Sequence, residues 1–157
     1  MIKEYQEQSQ HFFMKKGGKA MSKNINVRWG WLKIMYIWTI VGAGGFGLGI
    51  IVIPNVMKSI FGWPTQDPIV YGVTGSVWLA FGIISILGLR SPLKFVPVLL
   101  LQLCYKSIWF IGVVLPLLVV GKFPLYAILH VVVIASYIIG DLIAIPFSYV
   151  FAKQSNQ

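Results

Sequence analysis

Four long apolar stretches, each divided from the next by proline, glycine or charge, set the pattern of this chain. They run Trp31–Ile53, ended by Pro54; Ile69–Leu89, between Asp67-Pro68 and Arg90-Ser91-Pro92; Phe95–Val120, between Lys94 and Gly121-Lys122; and Pro124–Phe151, before Lys153. Their lengths of 23, 21, 26 and 28 residues all reach the ~20 that a helix needs to cross the hydrocarbon core. Buried strands are shorter, about 4–8 residues. A barrel strand would alternate apolar and polar positions, and these stretches do not. Because lipid offers the backbone no hydrogen bonds, only helices or closed barrels span it. The pattern therefore predicts an all-α, integral membrane four-helix bundle over residues 31–151, flanked by a polar tail at 1–30 and another at 152–157. The 54–68 connection carries three prolines. It reads either as a plain loop or as a short interfacial helix that turns Met57, Ile60 and Phe61 to the membrane and Lys58 to water.

Composition strengthens this reading. Of 157 residues, 57% are hydrophobic and 11% charged, against roughly 45–50% and 25% in soluble domains. That is too little charge to cover a water-facing surface, and burial is in surplus, which excludes disorder. The N-terminus mimics a signal peptide, but its apolar stretch exceeds the ~7–15 residues of a cleavable core, so it reads as an uncleaved anchor. Met21 is a candidate alternative start.

The net charge of +9 raises the question of nucleic acid. No basic fold motif accompanies it, and the placement of the cations gives a different answer. Lys3, Lys15, Lys16, Lys19, Lys23 and Arg28 precede the first span, and Arg90 and Lys94 share one short connection. With the N-terminus in the cytoplasm, only Lys58 and Lys122 lie outside, as the positive-inside rule requires. Both termini are thus expected inside, with Trp29, Trp31, Tyr149 and Phe151 at the inner interface and Trp63 and Tyr126 at the outer one. The tail also suits anionic lipid headgroups. Cys104 is the only cysteine, which excludes an internal disulfide; it reads as a small buried apolar residue.

The segment Gly42-Ala43-Gly44-Gly45-Phe46-Gly47 matches G-x-G-x-x-G literally. It lies mid-span without the strand and the later acid that a dinucleotide site needs. Close helix packing is the better reading. Gly45 and Gly49 form GxxxG, with Gly42, Gly44 and Gly47 thinning other faces, and Gly72, Ser76 and Ala80 recur every four residues on the second span. Spans one and two are expected to meet there, and Gly45→Leu is expected to force them apart.

Besides Lys33 at the edge of the first span, three ionisable residues fall inside spans: Lys106, His130 and Asp141. Charge within the membrane marks a candidate functional site. Counted from the predicted span ends, Lys106 and Asp141 lie ~16 and ~15 Å deep on antiparallel neighbours, so an ion pair is expected. At helical periodicity His130, Tyr137, Asp141 and Ser148 share one face, Gln102 and Lys106 share another, and Tyr71, Trp78 and Ser85 recur on span two. A lone histidine gives no metal-ligand set. No Ser-His-Asp set, P-loop or carboxylate pair is present, so no catalytic residue is assigned and an enzyme is disfavoured.

The order of parts resembles the DoxX-like small four-helix bacterial membrane proteins. A glycine-rich first span leads to a proline-containing loop, a small-residue second span (YGVTGSVWLAFGIISILGLRSP), a tight basic turn and a closing hairpin. The resemblance covers residues 30–151 and implies a four-helix bundle in a bacterial cytoplasmic membrane. Some members of that group are linked to quinone-coupled redox complexes; it transfers no catalytic residue. Two functions compete. One is an accessory or binding subunit that holds lipid, quinone or partner helices. The other is a proton-linked transporter or channel using Lys106 and Asp141. A cavity at the level of that pair would favour transport, and a dry, filled interior would favour binding. Expected partners are membrane lipids and a second copy or membrane-complex subunit; quinone or lipid is the only cofactor considered.

Overall fold

The computed structural model describes residues 27–151. The expectations for the rest of the N-terminal tail, Met21, Lys153 and the C-terminal tail lie outside the described residues. Four helices are long and apolar enough to cross a membrane: α1 (Trp29–Val52), α3 (Pro68–Arg90), α4 (Val96–Val119) and α5 (Leu125–Ala144). A short helix, α2 (Pro54–Phe61), follows α1.

The helix limits follow from local chemistry. At the start of α3 the Asp67 carboxylate accepts from the Ile69 and Val70 amides at 2.9 and 3.0 Å, satisfying two donors that a helix N-terminus leaves free. Pro68 suits this position because it has no donor to lose. Helix α2 closes on Gly62, whose φ of 62° is the left-handed conformation glycine adopts without penalty. In the 54–68 connection the helix is thus formed. Met57 and Phe61 turn inward onto Ile50 and Tyr71, whereas Ile60 is exposed.

Two stretches widen to π-helix, Ile40–Gly44 in α1 and Phe110–Val114 in α4. The second has a covalent cause. Pro116 offers no N–H to the Gly112 carbonyl and crowds it, and the Leu115 amide reaches back five residues to Phe110 instead.

The fourth span is shorter than expected. After Asp141 the helix continues only to Ala144, because Pro146 forces the residue before it out of the α region; Ile145 is extended at φ −69°, ψ 121°. Helical phase is therefore not carried to Ser148, which does not extend the Asp141 face. The chain divides into a unit Arg28–Ile145 and a second unit of flanking segments. In the latter, Phe147–Val150 forms a short helix, α6, with Phe147 stacked on Phe151.

Within Arg28–Ile145, α1 packs against both α3 and α5, and α4 packs on α5. Spans one and two do meet, but on another face than GxxxG. Gly45 and Gly72 face open space, and Ser76 and Ala80 are exposed. Gly49 faces the Met57 side chain of α2 instead. The approach runs through Gly44 and Gly47 against Gly75, Leu79 and Gly82. A Cβ on Gly44 would lie 3.1 Å from the Gly82 Cα, and one on Gly47 only 2.6 Å from the Gly75 carbonyl oxygen. Helical spacing alone cannot say which of several glycine rows faces the partner. Cys104 likewise turns outward and is exposed. At the other end the Tyr36 hydroxyl donates to the Pro92 carbonyl at 2.7 Å, tying the Arg90–Lys94 turn to α1.

Gly47→Leu should destabilise the purified protein by about 1–3 kcal/mol, the usual cost of overpacking, while Gly45→Leu should melt close to the parent. Thermal unfolding in detergent compares them directly. Equal losses in the two variants would reject this face.

Candidate functional site

The π-widening of α1 is occupied by a side chain from α5. The Tyr137 hydroxyl accepts from the Ala43 amide at 3.0 Å and donates to the Trp38 carbonyl at 2.8 Å. Ala43 and Trp38 are five residues apart, the separation that a π-turn would bond directly, so the hydroxyl is inserted into that pair. Such insertion is a recognised cause of helix distortion. Gly42 makes room: a Cβ there would collide with the hydroxyl. One turn earlier, Thr39 donates to the Met35 carbonyl at 2.8 Å and accepts from the Gln102 amide at 3.2 Å.

The Tyr137 ring carries the second interaction. Lys106 is 2% exposed, and its ammonium lies 3.1 Å from the centroid of that ring. The ring quadrupole attracts a cation, by roughly 2 kcal/mol or more where water is absent. Among the described residues, no hydrogen-bond partner reaches Nζ.

Lys106 lies on the wall of a recess whose other main walls are Phe46, Phe61, Trp78, Tyr105, His130 and Tyr137. The recess measures about 360 Å³ counting the volume open to the exterior, of which about 20 Å³ is open to the centre of a water molecule. One water needs ~10–15 Å³ by that measure. His130 is boxed by aromatic rings. Trp78 stacks on it at 5.6 Å, while Trp63 and Trp109 meet it edge-on at 5.5 and 5.3 Å, and Phe61 at 6.4 Å. Helix α2 contributes Phe61, against which Trp63 stacks at 4.6 Å.

Asp141 lies apart from this recess. From the contact of Lys106 with Tyr137, four residues back along α4 lead to Gln102. Four residues on along the antiparallel α5 lead to Asp141, in the same direction. Asp141 therefore stands level with Gln102, one turn from Lys106. Asp141 is fully buried, and both its oxygens lack a partner, as do Gln102 Oε1 and Ser85 Oγ. The expected Lys106–Asp141 ion pair is not formed. Equal depth would need a span four ending at Phe151, and the helix ends at Ala144, about two turns earlier.

The site residues proposed from sequence thus divide. Lys106, His130 and Tyr137 share the recess, together with Trp78; Gln102 and Asp141 lie one turn away. Thr39 has no counterpart in the sequence reading; its only signal is a lone hydroxyl in an apolar run. Trp63 packs on Phe61 and His130. No family model, curated protein or solved structure matches this chain.

Tyr137→Phe should cost about 1–3 kcal/mol, because it leaves the buried Ala43 amide without an acceptor. Gly42→Ala should destabilise the parent but cost less in the Tyr137→Phe background, where the colliding oxygen is gone. A double-mutant cycle on melting reads that coupling, and strict additivity would contradict the insertion.

Proposed function

We propose that the protein is a binding or accessory subunit that holds the headgroup of a lipid-soluble molecule, a quinone or a lipid, in the recess between Lys106 and His130. The observation that carries this reading is the Lys106 ammonium: buried, without a hydrogen-bond acceptor, on the wall of an otherwise aromatic recess. A buried donor of this kind is satisfied by an oxygen acceptor, and flat aromatic walls suit a flat ring or an apolar chain beside that acceptor. Seven residues separate His130 from Tyr137 on α5, a rise of ~10 Å. Once Phe61 moves aside, a ligand can meet the ammonium at one end and the imidazole at the other. Displacement of Phe61, on the short helix α2, would widen the entrance.

The reading includes a setting: a multi-pass protein of a bacterial cytoplasmic membrane, its four spans bundled, both termini inside. Clustered cations in the Arg90–Lys94 turn and the N-terminal tail support that orientation, and the DoxX-like order of parts supports the membrane. A proton-linked transporter using Lys106 and Asp141 is the second reading, and both unpartnered charges favour it. The recess reaches Lys106 but not Asp141, which favours holding a ligand over passing one.

Native mass spectrometry from mild detergent should show the parent with a retained lipid-soluble molecule, largely lost in Lys106→Met. A short-chain quinone should quench tryptophan fluorescence in the parent more strongly than in His130→Ala, since Trp63, Trp78 and Trp109 surround that residue. Neither retention nor saturable quenching in the folded parent would reject the binding function. Cytoplasmic reporter activity at the C-terminus is expected, and a periplasmic phosphatase active there would reverse the orientation.

A further inference from the structure

We propose that Thr39, Ser85, Gln102 and Asp141 form a binding site for a small monovalent metal cation of the sodium type, seated against the Asp141 carboxylate. The site is separate from the aromatic recess, which Asp141 does not line, and it does not depend on the ligand assigned there.

The four residues come one from each spanning helix, and each is 0% exposed. Their convergence follows from the packing. Gln102 bonds Thr39 across α4 and α1, and Asp141 stands level with Gln102 across the α4–α5 contact. Ser85 lies three residues from Gly82 and three from Gly88 on α3. Gly82 abuts Gly44, and Gly88 abuts the Tyr36 ring. Ser85 therefore faces α1 between Tyr36 and Gly44, the stretch that holds Thr39.

Unpartnered atoms define what the site lacks. Among the described residues, both Asp141 oxygens, Gln102 Oε1 and Ser85 Oγ have no hydrogen-bond partner. Four buried oxygens, two of them on a carboxylate, await a donor or a positive charge, and leaving such groups bare is costly. Lys106 does not bond these oxygens, since its ammonium rests on the Tyr137 ring. Carboxylate, amide and hydroxyl oxygens are ligands for hard cations. With a single carboxylate, and the Lys106 ammonium one turn away, a divalent ion would leave more uncompensated positive charge in hydrocarbon than a monovalent one.

The test is thermal unfolding of the full chain in detergent, titrated with sodium chloride against choline chloride at constant ionic strength. Ligand bound only by the folded state raises the melting temperature saturably. Sodium should raise it by several degrees, choline should not, and Asp141→Asn should abolish the difference. Should Asp141→Asn fail to fold, Gln102→Leu and Ser85→Ala should each weaken the sodium midpoint several-fold. Lys106→Met should strengthen it, by removing a like charge one turn away. Identical melting of the parent in sodium and choline overturns the proposal, including where melting follows pH alone. So does a sodium effect that survives in a folded Asp141→Asn variant.

Discussion

The interior depends on a single side chain, Tyr137. Its hydroxyl completes the backbone of α1 at the π-turn, and its ring supports the Lys106 ammonium from α4. Three spans are thereby joined through one residue. In hydrocarbon an open backbone amide has no water to turn to, so the insertion and the bulge require each other. The glycine at 42 is the steric condition for both. Small residues at 44, 47, 75 and 82 then let α3 close against α1.

From this junction the polar interior divides in two. Toward α2, Lys106 and His130 look into a recess walled by aromatic rings. Toward the Arg90–Lys94 turn, the oxygens of Gln102 and Asp141 lie without a hydrogen-bond partner among the described residues. A direct Lys106–Asp141 bond would close both halves against any ligand. Seating the ammonium on a π face, which accepts no hydrogen bond at full strength, leaves an available donor on one side and an available carboxylate on the other.

Much of the frame was legible in the chain. Each spanning helix was visible as a long, mostly apolar run, because the lipid-facing surface of a membrane helix must be apolar. Gln102, Lys106, Tyr137 and Asp141 stood out because polar groups are rare in such runs, and all four are buried. Three features were hidden for physical reasons. A glycine-rich stretch offers several equivalent rows, so Gly45 and Gly49 could not be told from Gly44 and Gly47. Pro146 lies inside an apolar run, and its helix-ending effect depends on how the neighbouring backbone is satisfied. The π-turn at Ile40–Gly44 is set by a residue about a hundred positions away, which no local pattern records. Apolar composition also concealed Phe61 as a wall of the recess and Trp63 as its support, since either suits a lipid surface as well.

The position of the Lys106 ammonium tests the account most directly. Solid-state NMR in bilayers, with ¹⁵N on lysine and ¹³C on tyrosine rings and aspartate carboxyls, measures it through dipolar recoupling. Assignment through Lys106→Met isolates the signal. The account predicts a strong coupling from Nζ to the Tyr137 ring carbons, in keeping with the 3.1 Å approach to its centroid, and no carboxyl carbon of Asp141 at ion-pair distance, about 4 Å. A short Nζ–carboxyl distance with no coupling to the ring would contradict it.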